Sequence, residues 1–160
     1  MHNKKTFTRL AAVSLVAVAV GGCSVAEGAP ETAARDRVEI LELGVRNEQY
    51  EALDLGKPGL SLGDMDVYSG KAIKDGRVVG HGGGSCQVIH VDGDDVDMQC
   101  VITMNVERGS VTMQAQWSRG TSPLDMAITG GTGAYQKARG TVRFWDIGTP
   151  NERARAEIIL

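Results

Sequence analysis

The chain has 160 residues, which is enough for one domain with a core of its own after a leader is removed. It carries 17 Lys and Arg side chains against 20 Asp and Glu, and this acidic balance argues against nucleic-acid binding, which uses basic patches. Glycine is abundant at 21 residues and helical patterns are scarce, so the composition favours short strands joined by turns over a helical fold.

The first residues have the pattern of a secretory signal peptide. Residues 2–9 are basic and free of acid, and residues 10–20 form a mostly apolar run. A basic head, an apolar run of about 7–15 residues and small residues before the cleavage point are typical of such peptides, and the run is too short to span a bilayer. We therefore expect residues 1–22 to be removed on export.

The residues at the end of this leader are Val20–Gly21–Gly22–Cys23, which resemble the lipobox of bacterial lipoproteins. The resemblance implies that Cys23 is acylated, becomes the first residue of the mature chain and anchors it to the cell membrane on the extracytoplasmic side. More than one acyl chain would anchor the protein firmly, since each methylene buried in the bilayer contributes about 0.8 kcal/mol to membrane binding. The alternative is ordinary cleavage after Ala26, which would discard Cys23.

Residues 23–37 are small, charged or turn-forming and are predicted to be a flexible tether between the lipid and the domain. The alternative is a disordered start with no spacer role. The domain itself is predicted to occupy residues 38–160.

Apolar and polar residues alternate with a period of two through much of the domain. This pattern predicts about eight strands, over residues 38–43, 65–67, 78–91, 96–106, 110–118, 124–128, 140–147 and 153–160. Residues 47–62 are polar and contain Gly and Pro, so we expect a long loop there. Antiparallel chains of this kind form a sandwich or a closed barrel, and an eight-stranded barrel is either filled by side chains or holds one small ligand.

The chain has three cysteines, and an odd number in an exported protein needs an explanation. If Cys23 carries lipid, Cys86 and Cys100 remain as a pair, and they are equidistant from Gly93 in a predicted turn at residues 92–94. We predict a disulfide between them that stabilises the domain by roughly 2–4 kcal/mol. The alternative is two reduced thiols in the core.

That pairing fixes the register of the predicted hairpin. It places Val88 opposite Met98 and His90 opposite Val96. One face of the hairpin is then apolar and inward, and it consists of Cys86, Val88, Val96, Met98, Cys100, Ile102 and Met104. The disulfide register and the apolar pattern agree, and a slip by one residue would invert every side chain.

The most specific stretch is residues 128–140, which read ITGGTGAYQKARG. It resembles the motif shared by dirigent proteins and allene oxide cyclases, in which a strand ends in Gly-Gly-Thr/Ser-Gly, an aromatic residue follows, and Ala-Arg-Gly begins the next strand. The matching positions are Gly130, Gly131, Thr132, Gly133, Tyr135, Arg139 and Gly140. The resemblance implies an all-β, eight-stranded antiparallel barrel of calycin-like shape. It also implies structural roles, with Tyr135 plugging the barrel end and Arg139 pairing with a loop carbonyl or carboxylate.

The family resemblance implies a lumen that accepts a small, mostly apolar molecule and needs no cofactor. One hypothesis is a lipid-anchored barrel that binds such a ligand or acts as a surface interaction module. The alternative is a cofactor-free cyclase or isomerase of the allene oxide cyclase or dirigent type. The sequence favours the first, because the predicted inward face is rich in methionine and shows no acid–base pair. It identifies no catalytic residues.

Four side chains are candidates for contact with a ligand in the lumen, because each combines an apolar body with a polar group: Tyr68, His90, Trp117 and Trp145. Each has the alternative role of an ordinary core residue. No set of side chains has the spacing of a metal site. Asp64 and Asp66 are expected on a solvated outer face.

Overall fold

The computed structural model describes residues 37–160, so the predicted leader, Cys23 and nearly all of the tether lie outside the described residues. The described part contains eight strands and one short 3-10 helix (Gly133–Tyr135). The strands are β1 (Val38–Leu53), β2 (Met65–Lys74), β3 (Arg77–Asp92), β4 (Asp95–Val106), β5 (Gly109–Ser118), β6 (Leu124–Gly131), β7 (Arg139–Trp145) and β8 (Arg153–Ile159).

The strands form a closed antiparallel barrel, as predicted. Each strand pairs with the next in sequence, and β1 closes the ring against β8 from Val38↔Ile159 to Gly44↔Arg153. The connections therefore alternate between two ends. We call the end that holds the start of β1 and the β2–β3, β4–β5 and β6–β7 connections the proximal end. The distal end holds the β1–β2, β3–β4, β5–β6 and β7–β8 connections.

The first strand is longer than the sequence predicted. Residues 47–53, predicted as loop, continue β1 past a bulge between Asn47 and Gln49 and pair with β2, for example Tyr50 with Tyr68. This stretch is exposed along its whole length. A strand with no buried face has no reason to alternate apolar and polar residues, which explains why the pattern missed it.

The predicted disulfide is present in the structure. Cys86 on β3 is bonded to Cys100 on β4, with a Cα–Cα distance of 4.0 Å, and both side chains are buried. Val88 lies opposite Met98 as predicted. The inward face of this hairpin joins a core whose most completely buried large side chains include Met98, Met126 and Ile158.

The predicted register is wrong beyond Val88. A bulge between Val88 and His90 places His90 opposite Asp97, and Val91 opposite Val96. One inserted residue reverses the alternation, so His90 is exposed on the outside of the barrel.

The expectation of a solvated outer face for Asp64 and Asp66 is also wrong, because their side chains are only 6% and 8% exposed. The Asp64 carboxylate accepts hydrogen bonds from the backbone N–H groups of Leu55 (2.8 Å) and Ser61 (2.7 Å), so it closes the β1–β2 connection. These donors lower the pKa of Asp64. Asp66 accepts a hydrogen bond from the Tyr50 hydroxyl at 2.9 Å.

The glycine motif forms the β6–β7 connection at the proximal end. A side chain at Gly131 would meet the Ser110 carbonyl oxygen at 1.9 Å, so only glycine lets the two backbones pass. Tyr135 in the 3-10 helix is 2% exposed, and the Arg108 guanidinium lies 5.3 Å from its ring centroid. Arg139 begins β7 with an exposed side chain.

Candidate functional site

The lumen of the barrel is partly open, with a cavity of about 80 Å³. On one side of the lumen, β2, β3 and β8 contribute small residues, namely Gly70, Ala72, Gly82, Ala154 and Ala156, and β1 between them contributes Leu41, Leu43 and Val45. The facing wall carries bulky residues, among them Met104, Val111, Met113, Val142 and Phe144. Since one ordered water needs about 10–15 Å³ of such space, the cavity has room for a small ring compound.

Three polar side chains line this otherwise apolar cavity: Asn47, Tyr68 and Glu152. Tyr68 lies on β2, Asn47 on the distal half of β1, and Glu152 directly before β8. The polar groups are therefore gathered toward the distal side, and the rest of the lining is aliphatic or aromatic. Such a cavity holds a ligand by burial and orients it by a few polar contacts.

Glu152 is the charged member of this group and is 8% exposed. Its Oε2 atom accepts hydrogen bonds from Asn47 Nδ2 at 2.7 Å and from the Gly148 backbone N–H at 2.8 Å. No residue in the described part of the chain donates a hydrogen bond to Oε1, and no side-chain oxygen there is fully buried without a partner. The Oε1 atom is therefore accessible to solvent or to a ligand.

Tyr68 supplies a hydroxyl to the same cavity lining as Glu152. Burial raises the pKa of Tyr68 to about 12, and the negative charges of Glu152 and Asp66 add to the shift. The phenol is therefore protonated at neutral pH and serves as a hydrogen-bond donor. Its oxygen lies 3.6 Å from Cys86 Sγ, which is a weak partner that a better acceptor on a ligand can replace.

Of the four predicted ligand contacts, the structure places Tyr68 in the cavity lining. His90 is outside the barrel because of the bulge described above. The half-buried Trp117 packs against the core near the distal end and donates its indole N–H to the Thr121 carbonyl at 2.9 Å. Trp145 alternates with the inward Val142 and Phe144 and so faces outward, where the Arg153 guanidinium lies 5.0 Å from its ring.

Sequence reasoning missed Glu152 and Asn47. Glu152 stands in a connection and Asn47 at a bulge, so neither belongs to an alternating pattern that would mark its direction. Closure of β1 against β8 brings them together, since the Val45 backbone N–H bonds to the Glu152 carbonyl at 2.8 Å.

A second cavity of about 160 Å³ lies at the distal end beneath the β1–β2 connection. Its charged lining includes Asp66 and Arg119, whose side chains approach to 3.9 Å, and its apolar lining includes Met98 and Leu60. Within residues 37–160, no group of three or more His, Cys, Asp or Glu side chains is arranged to hold a metal ion. The same residues include no helix that is both long and apolar enough to cross a membrane.

A closed eight-stranded barrel with an apolar, partly open lumen defines the class of the protein. The chain belongs to the allene oxide cyclase barrel like domain family, whose model matches residues 41–160. This confirms the family resemblance read from the glycine motif. No curated protein matches the sequence significantly.

Several solved structures share the fold. A pyocyanin demethylase is 33% identical with a TM-score of 0.71, and the match covers 75% of this chain and 99% of that one. AbnU, an exo-specific intermolecular Diels–Alderase, is 12% identical with a TM-score of 0.64, over 79% of this chain and 100% of that one. The pterocarpan synthase dirigent protein GePTS1 is 20% identical with a TM-score of 0.54, over 78% of this chain and 89% of that one.

Proposed function

We propose that this protein is a lipid-anchored extracytoplasmic barrel that binds a small planar, mostly apolar molecule in its lumen, with Glu152 as the orienting group. The observation that carries the proposal is a buried carboxylate with one accessible oxygen in a cavity whose other lining is almost wholly apolar. A carboxylate only accepts hydrogen bonds, so the ligand carries an N–H or O–H donor or a positive charge at one edge.

Tyr68 indicates that the ligand also carries a hydrogen-bond acceptor. Because the phenol stays protonated, it donates to an acceptor on the ligand. A donor and an acceptor in the lining of one cavity favour a heteroaromatic ring over a plain hydrocarbon. That one relative at 33% identity is a pyocyanin demethylase, acting on a nitrogen-containing aromatic compound, supports this class of ligand.

Indole tests the proposal, because it is a planar apolar molecule with one N–H donor. Glu152→Gln keeps the shape and removes the charge, and a hydrogen bond to a charged group contributes about 1.5–3 kcal/mol. We expect the variant to bind indole at least about tenfold more weakly than the wild type. Glu157→Gln is the matched control on the exposed face of β8. Equal affinity of all three proteins would refute a role for Glu152.

The anchoring part of the proposal has a separate test. Mass spectrometry of the protein purified from membranes is expected to find an N-terminal Cys23 carrying acyl chains, and Cys23→Ala is expected to release the chain from the membrane fraction. A mature N-terminus at Glu27, after cleavage following Ala26, would contradict the anchor.

A second candidate function is cofactor-free catalysis in the same lumen. The observation that favours it is the pair formed by Glu152, which can accept a proton, and protonated Tyr68, which can stabilise a developing negative charge by donating a hydrogen bond. Solved structures with this fold include proteins named as a demethylase, a cyclase and a Diels–Alderase.

Incubation with pyocyanin separates the two candidates. Catalysis predicts a product with changed chromatographic retention that disappears in both Glu152→Gln and Tyr68→Phe, and persists in Glu157→Gln. Recovery of unchanged pyocyanin, together with saturable binding, supports binding alone for this compound.

A further inference from the structure

The two ends of the barrel carry opposite charge. At the proximal end, the basic side chains are Arg37, Lys74, Arg77, Arg108, Lys137 and Arg139. The acidic side chains there are fewer, namely Glu39, Asp75 and Glu107. Glu39 lies between two of the arginines, 3.6 Å from Arg37 and 3.1 Å from Arg108, so this end presents an excess of positive charge.

The distal end is acidic. Its connections and the adjoining strand ends carry Asp54, Asp64, Asp92, Asp94, Asp95, Asp146 and Glu152. Their basic counterparts are Lys57, Arg119 and Arg153, and Arg153 is already paired with Asp146 at 3.5 Å. The charge of the barrel is thus polarised along its axis.

We propose that the proximal end is a docking surface for anionic phospholipid headgroups, so that the barrel stands on the membrane with its distal end toward the aqueous phase. The orientation rests on the proposed lipid anchor in one respect: the tether enters the barrel at Arg37, on the proximal end. The lipid and the basic surface then lie on the same side of the domain.

Screening explains how a chain of net negative charge can dock on an anionic surface. The ten residues of β5 span the barrel wall, which at about 3.3 Å per residue and a tilt near 40° separates the two ends by roughly 25 Å. The Debye length is about 10 Å at 0.1 M salt. The proximal cations therefore lie within reach of the negative surface potential of the anionic lipids, and the distal carboxylates are largely screened from that potential.

The orientation has a consequence for ligand access. Tyr135 is buried in the connection at the proximal end, and Glu152 lies at the distal end beside the β7–β8 connection. A docked barrel thus presents the polar side of its lumen to the aqueous phase. A ligand would arrive from solution and not from the bilayer.

The test uses the unacylated chain from residue 24 onward, because this chain keeps all eight strands of the closed ring and every core residue of the described part. Co-sedimentation is measured with vesicles of phosphatidylglycerol and phosphatidylcholine in equal parts, and with phosphatidylcholine alone. We expect binding to the anionic vesicles alone, weakened by added salt. The exposed-residue variant K74Q/R77Q/K137Q is expected to bind at least about tenfold more weakly.

The matched control is R46Q/K57Q/R153Q, which changes the net charge equally at exposed positions away from the proximal end. It is expected to bind within about twofold of the wild type, since its charges lie beyond the screening distance. Equal losses in the two variants, or no preference for anionic vesicles, would overturn the docking surface. Acylation of Cys23 is measured separately, so failure of the anchor and failure of the docking surface are distinguishable.

Tryptophan fluorescence tests the orientation directly. Trp117 and Trp145 both stand at the distal ends of their strands. Brominated acyl chains quench tryptophan at short range, so vesicle-bound protein is expected to keep its emission. Strong quenching on binding would show that the distal end faces the bilayer and would overturn the proposal.

Discussion

The two walls of the lumen differ in side-chain volume, and that difference creates the cavity. Beside the cavity, β2, β3 and β8 contribute the small residues Gly70, Ala72, Gly82, Ala154 and Ala156 together with the larger Tyr68 and Ile158, whereas β4 to β7 contribute methionine, valine, isoleucine and phenylalanine. A barrel of this size with bulky residues on both walls would be solid. The bulky residues on β4 to β7 therefore pack much of the core, and the glycine and alanine positions leave the space of the cavity.

The largest expected effect is on the bulky wall. Met126→Ala removes a side chain with 0% exposure, and we expect a loss of about 2–5 kcal/mol in the free energy of unfolding, measured by denaturant titration. Met104→Ala is the comparison, because Met104 is half-buried and already borders the cavity. Its loss is expected to be smaller. Equal losses would contradict the assignment of Met126 to the packed core and of Met104 to the border of the cavity.

The disulfide joins a strand of the small wall to a strand of the bulky wall. Replacing both cysteines, in Cys86→Ala/Cys100→Ala, is expected to lower the free energy of unfolding by about 3 kcal/mol, since the bond closes a loop with a sequence separation of 14. Thermal unfolding with and without reductant checks this. We expect the double variant and the reduced wild type to unfold at the same temperature, and the oxidised wild type to unfold at a higher one. Insensitivity of the wild type to reductant would contradict it.

Filling the small wall should affect binding more than stability. Ala156→Leu places a larger side chain into existing space, so we expect a change in the free energy of unfolding within about 1.5 kcal/mol. Indole affinity is expected to fall at least about tenfold. Ala127→Leu, on the exposed face of β6, is the control. Retained indole affinity in Ala156→Leu would place the binding site outside the lumen.

The smallest effect concerns pH and the β1–β2 connection. Because backbone donors lower the pKa of Asp64, its contribution to holding this connection is present above about pH 3.8 and is lost as the pH falls through the lowered folded-state pKa. Hydrogen exchange at the Leu55 and Ser61 amides, corrected for intrinsic rates, is expected to show constant protection from neutral pH to about pH 4, then a fall. Asp64→Asn should abolish this pH dependence. A steady decline beginning near pH 6 would contradict it.

The sequence predicted those features that leave a regular pattern. The hairpin around Gly93 was predictable because the cysteine positions and the apolar alternation give one register. The barrel followed from the strand number and the glycine motif. The bulge before His90 was not predictable, because one inserted residue leaves the composition of the strand unchanged. It nevertheless reverses the inward or outward direction of every side chain that follows it on the strand.

The site was less predictable than the fold for a related reason. Tyr68 was found because an amphipathic aromatic residue on a strand is a general signal. Glu152 gave no signal, because a carboxylate in a connection ordinarily faces solvent, and ring closure alone buries it against Asn47. The burial of a carboxylate at the end of a barrel strand depends on the tertiary structure and leaves no pattern in the local sequence.

Binding of a small planar ligand in the lumen beside Glu152 is visible in the amide spectrum of isotope-labelled protein during titration with indole. We expect saturable shifts at the Gly70, Gly82 and Gly148 amides, with little change at the outward-facing Gln99 and Gln116. Absence of shifts at these glycines at millimolar indole, or shifts confined to the outer surface, would contradict it.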